Sequence, residues 1–543
     1  MAPEHASRRA PSSTAVRRPR GGGPRTRTGV RHRSGLLAAA LALALGGAAL
    51  ATGPAAQASP AATTGASQER GQPTPLAPEL EKERERQARE LYGDGAQRPV
   101  EERRTSLITL GDSEISGEGV GTYEPGTDGP DNWCHRSPDA AVHRTGIPVQ
   151  ETFNVACSGA NSENIRIGGT PQYADELVQS DSLAVTARNT RLKQVVLVAG
   201  ANDDLQFGPV MTDCVTRWFL RKGACQPVYE PGWQQRVDGL VPKVERTVTD
   251  LKSVMRDAGY ADGDYQLVVM SYPSPIGPDI EDNPDFPGKL PGGCTGYTSD
   301  SGWGRNTAVP AFEKGVRAAA ENTGADYLDA SRLFHGHEVC MEDAWARGLY
   351  VELSNPFPPD ENSVRQSFHP NARGHAAFAS CLTQMYETAR NGSVREASCA
   401  DPSGRGEPRL YQLAWDDAFV PLRSSGTGEC LAPDGGSTRD GTAVRGQECA
   451  PGERAQTWWY DEDTRALRTG LTHDRCLDVP EGRAEPGTEL VLWNCSAETQ
   501  QRFLRQDGTF RPVAAPDLCL TLDTTGAPTR LTPCTDSPNQ HFT

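Results

Sequence analysis

At 543 residues, with 55 basic and 71 acidic side chains, the chain carries a formal charge of −16, which excludes a nucleic-acid binder that works by neutralising phosphates. Its length allows roughly three or four structural units, and a 36% hydrophobic content suits a polar but folded protein. The 14 cysteines are even in number, widely spread and never spaced C-x-x-C, which argues against zinc ribbons and redox dithiols and for disulfides in an oxidising compartment.

Residues 1–34 hold nine arginines against one acid, Glu4; an apolar run from Gly35 to Thr52 and the small-residue exit Ala56-Gln57-Ala58 follow. This reads as a secretory signal peptide over residues 1–58. A membrane anchor is the weaker reading, because an Ala- and Gly-rich run inserts less favourably than a Leu-rich one. Two Arg-Arg pairs lie far from the apolar run, so Sec and twin-arginine export both stay open. Without this segment the chain keeps 46 basic and 70 acidic residues, a charge of −24. The expectation is a secreted, extracellular protein with no stable membrane insertion. Residues 59–104 have few large apolar side chains and are expected to be a flexible leader, with an exposed, charge-paired helix from Pro78 to Tyr92.

From residue 105 the pattern changes. Ser106–Leu110, Val195–Val198 and Leu267–Met270 are short apolar runs bounded by Gly, Ser or Pro, and Tyr327–Asp329 is a shorter one. Between them Val237, Leu240, Val241, Val244, Val248, Leu251 and Met255 recur on one helical face, and Asn371–Glu387 carries a second helical pattern. Strand–helix alternation predicts an α/β domain over 105–400 with a mostly parallel sheet, whose site lies at the carboxyl ends of the strands. The stretch DPSGRGEP, residues 401–408, reads as a linker.

Four motifs fall where that rule puts them: Gly111-Asp112-Ser113-Glu114 after the first strand, Asn154 to Ala160, Gly200-Ala201-Asn202-Asp203, and Ser367-Phe368-His369-Pro370-Asn371 opening the last helix. With these blocks the sequence resembles the SGNH (GDSL) hydrolase superfamily, of the secreted actinobacterial lipase and esterase type, which Phe334-His335-Gly336-His337-Glu338-Val339-Cys340 and Trp345 also match. The resemblance implies a flavodoxin-like three-layer α/β/α fold and hydrolysis of carboxylic esters; with no H-E-x-x-H motif or Gly-rich phosphate loop in the sequence, no cofactor or metal is expected. It casts Ser113 as nucleophile and His369 as general base, with the Ser113 and Gly159 backbone N–H groups and the Asn202 amide as oxyanion hole. The family usually has an Asp three residues before the histidine; here Gln366 stands there. The expectation is a Ser–His dyad whose imidazole is oriented by the Gln366 main-chain carbonyl. A carboxylate from another loop is the alternative; Asp360 and Glu361 are near in sequence but not at the family spacing. Glu114 replaces a residue that is more often aromatic or apolar, and serves as a solvated turn residue or a substrate contact. Asp112 and Asp203 are expected to brace loops. The H-x-H pair His335 and His337 lacks a third spaced ligand, so both are expected to be structural, and His375 to be packed.

Eight cysteines lie in this region and their residues alone leave the pairing open. The resemblance implies Cys134–Cys157, Cys214–Cys225 and Cys294–Cys340, leaving Cys381–Cys399. The last six mark a repeat: Cys430-Leu431, Cys476-Leu477 and Cys519-Leu520 recur about every 45 residues, each followed by a second cysteine and a Gln-x-aromatic ending. Residues 409–543 thus resemble the ricin B-type lectins, an all-β β-trefoil, which implies Cys430–Cys449, Cys476–Cys495 and Cys519–Cys534. That family's sugar-binding set survives only in the middle repeat, as Asp478, Trp493 and Gln500. Ala432 and Gln447 in the first repeat and Thr521 and Thr532 in the third stand in its place, and Val491 departs from it even in the middle one. Together these readings imply a monomeric secreted serine esterase or lipase tethered to polysaccharide, acting on a lipid ester or an acylated glycan. The alternative is a carbohydrate-binding protein with an inactive hydrolase domain, against which the intact Ser113, Gly159, Asn202 and His369 weigh.

Overall fold

Apolar runs without alternation are the mark of strands covered on both faces, and in the computed structural model four such runs form the middle of one sheet. The structure describes residues 71–278, 292–351, 364–392 and 395–543; the expected signal peptide, Asp360 and Glu361 lie outside these. Strands β1 (Thr105–Gly111), β2 (Glu151–Asn154), β3 (Arg191–Val198), β4 (Gln266–Met270), β5 (Asp326–Asp329) and β6 (Glu396–Ala400) run parallel in the order β2-β1-β3-β4-β5-β6. β7 (Arg409–Tyr411) adds antiparallel to β6. This is the doubly wound order in which the chain reverses direction of travel beside β1. β2 and β6, with sequences ETFN and EASCA, carry no apolar run and were not legible as strands.

The helices are α1 (Pro78–Tyr92), α2 (Ser113–Ser116), α3 (Ser162–Ile165), α4 (Gln179–Asn189), α5 (Phe207–Phe219), α6 (Gln226–Asp257), α7 (Thr298–Trp303), α8 (Val309–Thr323) and α9 (Ala372–Asn391). The predicted stripe on α6 is its buried face: Val237, Leu240, Val244, Val248, Leu251 and Met255 are each at most 2% exposed, and only Val241 is half-buried. They join the strand side chains in one core that spans the sheet.

Residues 78–92 are helical as expected but not loose. α1 docks through Arg84 and Ala88, both buried. Arg84 donates to Asn189 Oδ1 and to the Gly95 carbonyl, while Asn189 Nδ2 donates back to the Arg84 carbonyl at 2.8 Å. The contact rests on a guanidinium, the Asn189 and Gln87 amides, the Thr186 and Tyr92 hydroxyls and backbone groups, so apolar content could not announce it.

The expected linker is likewise a fixed turn. The Asp401 carboxylate is buried and accepts the N–H groups of Ser403, Gly404, Gly406 and Glu407. It also faces His337 Nε2 at 2.9 Å, and His337 Nδ1 faces the Asp343 carbonyl at 2.9 Å, so both ring nitrogens donate. Burial disfavours the charge on both groups. Burial is the largest single influence on each, but the mutual hydrogen bond, the backbone hydrogen bonds and the opposite charge together more than offset it, raising the imidazole and holding the carboxyl well below the usual carboxylate range. The depressed carboxyl contributes stability above its unfolded pKa of about 3.9, and the raised imidazole below about 6.5, so the pair contributes fully between those values. Asp401→Asn should destabilise the chain by about 1–3 kcal/mol. Thermal melts should show the deficit narrowing as pH rises through the folded imidazole pKa; a deficit independent of pH would contradict this assignment.

Past the turn, Tyr411, Trp415, Phe419 and Trp459 form a buried aromatic cluster around His473. Arg332 donates to the Gly470 carbonyl at 3.0 Å and the His473 N–H to His335 Nδ1 at 3.2 Å. The α/β domain and the C-terminal region therefore share a packed boundary.

That region is all-β and antiparallel. Its three Gln-x-aromatic endings do one job each time. Gln456, Gln501 and Gln540 each accept the N–H of Ala450, Ser496 or Thr535 and donate to the carbonyl of Glu448, Asn494 or Pro533, clamping the turn after the second cysteine. Two residues on, Trp458, Phe503 and Phe542 enter a common core with Leu431, Leu477 and Leu520. No single repeat could bury such a core. Seven disulfides join the pairs that the two resemblances imply, Cys381–Cys399 included.

Candidate active site

β1 ends against β3 so closely that a Cβ on Gly111, at φ +138°, would lie 2.0 Å from the Val198 carbonyl oxygen. Only glycine permits that approach. The chain then turns into α2, and Asp112 caps it by accepting the Glu114 N–H at 3.1 Å and the Tyr272 hydroxyl at 2.6 Å. Ser113 is the first residue of this helix and is half-buried.

His369 comes from the other end of the domain. Its Nδ1 faces the Ser367 carbonyl at 3.0 Å, which makes that nitrogen the donor and leaves Nε2 to accept from Ser113 Oγ at 2.8 Å. The orienting carbonyl is thus that of Ser367, not of Gln366. The reason is local: Phe368 sits at φ +62°, folding the chain back, while its N–H bonds the Arg347 carbonyl and the Arg347 N–H bonds the His369 carbonyl. Gln366 instead accepts from the Arg347 guanidinium with its side chain.

The Gly159 loop is sewn to β1 by the Cys157 N–H, which donates to the Gly111 carbonyl, and to Cys134 by a disulfide. Gly159 is exposed at φ +80°, where a side chain would be strained. The Asn202 amide donates to the Ala160 carbonyl at 3.0 Å, bringing its block beside Gly159. Asp203 accepts from both the N–H and the hydroxyl of Ser162, so it braces the same loop.

Burial dominates the electrostatics. It pushes Asp112 up to about 7 despite the Tyr272 hydrogen bond, and it raises Glu114 well above the usual range with help from Asp112. Burial thus disfavours the negative charge of both carboxyls that flank Ser113 in sequence. Burial lowers the His369 imidazole, partly offset by the nearby charge of Glu118 and by the Ser367 carbonyl. Glu118 is itself buried, with one oxygen on His135 Nδ1 at 2.8 Å. Sequence reasoning missed Glu118, Tyr272 and the Ser367 carbonyl. Tyr272 had a signal, since it stands just past the end of β4 where the site is expected.

The three histidines expected to be structural are packed. His337 stacks on Trp345 with ring centroids 3.8 Å apart, His335 accepts from His473 across the domain boundary, and His375 is buried and held near 3 by desolvation. Among the described residues, metal-ligating atoms converge at Cys214, Cys225 and Asp300, where the sulfurs form a disulfide and the carboxylate accepts two backbone N–H groups.

In the middle trefoil repeat Asp478 is buried and Trp493, on the paired strand, is 47% exposed. The amide that bonds Asp478 is Gln501, at 2.8 Å; Gln500 instead donates to Glu498. In the third repeat Thr521 and Thr532 bond each other at 2.7 Å, closing the equivalent place.

Residues 109–377 match the GDSL-like lipase/acylhydrolase family. Residues 409–493 and 466–543 match two descriptions of the ricin-type β-trefoil lectin domain. Among solved structures, an extracellular lipase from Streptomyces rimosus is 22% identical over 50% of this chain and 94% of that one, with a TM-score of 0.33. A phospholipase A1 from Streptomyces albidoflavus is 24% identical over 50% and 95%, with a TM-score of 0.32. The C-half of an earthworm R-type lectin, solved with GalNAc, is 18% identical over 23% and 96%, with a TM-score of 0.20. No curated protein matches the chain.

Proposed function

Since the chain carries a GDSL/SGNH-type hydrolase domain fused to a ricin B-type lectin domain, a carboxylic ester hydrolase with a carbohydrate-binding module, we propose that Ser113 and His369 act as its dyad. The observation that carries this reading is the 2.8 Å hydrogen bond from Ser113 Oγ to an imidazole whose other nitrogen is held by a carbonyl. Ser113 Oγ attacks the ester carbonyl carbon while His369 Nε2 takes its proton. The oxyanion is received by the N–H groups of Ser113 and Gly159 and by the second N–H of the Asn202 amide. His369 then protonates the departing alkoxide, and a water repeats the sequence to release the acid. The substrate is a lipid ester or an acylated glycan met outside the cell, and the trefoil holds the enzyme on polysaccharide. A fluorophosphonate probe should label the protein at Ser113, because labelling requires an activated nucleophile; an unlabelled, folded protein would favour the inactive carbohydrate-binding reading.

Two further results are expected. A base must be neutral to accept a proton, and burial lowers His369, so neutral imidazole persists into more acidic solution. The acid limb of kcat/KM should therefore fall below the ordinary imidazole value of about 6.5; a limb above it would contradict His369 as the base. In the trefoil, Trp493→Ala should abolish retention on insoluble polysaccharide, since it removes the flat apolar face open to a pyranose ring. Unchanged retention would make the trefoil structural only.

A further inference from the structure

The first helix past Asn202 ends in a feature that ester hydrolysis does not use. Six large hydrophobic residues are strongly exposed among the described residues, and three lie around the turn from α5 into α6: Phe219 at 48% and Leu220 at 58% end α5, and Val228 at 53% stands in the first turn of α6, three residues past the crosslinked Cys225. Isolated exposed apolar residues are ordinary, but contiguous ones mark a surface that something covers. Half-buried Trp218 packs edge-on against Phe219, and Arg221 and Lys222 follow, both exposed and in no ion pair among the described residues.

The exposure is built in. Leu220, Arg221 and Lys222 each donate a backbone N–H back to Thr216, Trp218 or Arg217, and the Cys214–Cys225 disulfide closes the hairpin. Asp300 pins the far side by accepting the N–H groups of Cys225 and Gln226. Arg217 is paired with Asp213 at 2.6 Å, which leaves Arg221 and Lys222 as the exposed cations of the tip.

Apolar ground also continues inward. A cavity under α5 is lined by Phe207, Met211, Cys214 and Val215, with Trp233 and Trp303 opposite. Its Phe207 end bonds the Ala201 carbonyl, one residue from Asn202.

We propose that the crosslinked tip of Trp218, Phe219, Leu220, Arg221, Lys222 and Val228 is a docking element for an anionic phospholipid surface. An aromatic and aliphatic end flanked by cations is the chemistry of an interfacial anchor: the rings enter the headgroup boundary and the basic stems reach the phosphates. Charge selects this occupant, because Arg221 and Lys222 place two exposed cations beside the apolar residues of an otherwise acidic chain, and that local sign complements an anionic lipid surface. The tip would bring the enzyme to esters in a lipid phase, a consequence that rests on the ester-hydrolase reading; the docking itself does not.

The test uses full-length protein, with Ser113→Ala for binding so that lipid is not consumed. Co-sedimentation with phosphatidylcholine vesicles containing phosphatidylglycerol should exceed that with phosphatidylcholine alone. Phe219→Ser with Leu220→Ser should weaken it by about a hundredfold, Val228→Ser should weaken it independently, and Arg221→Gln with Lys222→Gln should erase the preference for anionic vesicles. The same substitutions in the Ser113 enzyme should leave turnover of soluble p-nitrophenyl acetate unchanged, which also shows that they fold. No vesicle binding, or binding indifferent to these residues, overturns the proposal while soluble turnover still stands. A light-scattering dimer that the Phe219 and Leu220 substitutions dissolve overturns it in favour of a second copy. Absent soluble turnover with intact vesicle binding would instead count against the ester reading alone.

Discussion

Ser113→Ala should lower kcat for a soluble ester by about 10⁴–10⁶-fold, and His369→Ala by a similar factor, with the double variant no worse than either. Non-additivity is the informative part. The two side chains are joined by one hydrogen bond of 2.8 Å, so each is useless for proton transfer without the other. Independent roles would make the two losses multiply. Residual activity should come from the oxyanion donors and from binding, which neither substitution touches. Circular dichroism and melting curves should match the parent, because Ser113 is half-buried in a short helix capped by Asp112 rather than by its own side chain. A His369→Ala enzyme within tenfold of the parent would end the dyad reading.

Asn202→Ala should cost about 10²–10³ in kcat, with KM little changed. The asymmetry follows from where the charge develops. A ground-state carbonyl needs little from the amide, whereas the tetrahedral oxyanion needs a donor already in place. One Asn202 N–H is spent on the Ala160 carbonyl, which fixes the amide plane and aims the second N–H. The substitution also removes that brace, so a fall in melting temperature is compatible with this assignment. A rise in KM at constant kcat is not, since it would mean that Asn202 binds substrate and transition state equally.

Much of this site was legible before the fold. Ser113, Gly159, Asn202 and His369 stand in short blocks at strand ends, where a parallel sheet presents its residues, and their chemistry restricts the residue type at each place. The trefoil was legible for a related reason. Each Gln-x-aromatic ending needs an amide that both donates and accepts, followed at fixed distance by a core ring, and it needs them three times. The buried face of α6 was carried by simple periodicity.

What stayed hidden consists of partners that no particular residue type must supply. Ser367 orients His369 through a carbonyl that any residue has, selected by the left-handed turn at Phe368. α1 docks through Arg84 and Ala88 on Asn189, with no apolar run to betray it. Asp401 holds a glycine-rich stretch rigid by collecting backbone N–H groups and one distant histidine, though its composition is that of a loose linker. Tyr272 and Glu118 reach the site from positions whose neighbours in sequence say little about it.

The sequence by itself therefore determined the two domain types and, through family resemblance, the disulfide framework, and it supplied the residues proposed to carry ester chemistry, because each depends on side-chain identity at short spacing. The tertiary structure decided which carbonyl orients the imidazole, which carboxyls burial shifts upward, and which groups hold the leader helix and the turn before the trefoil. It also decided that Phe219, Leu220 and Val228 remain uncovered around the crosslinked turn from α5 into α6. These depend on burial and on backbone groups brought together across hundreds of residues, and neither quantity is written in the identity of any one side chain.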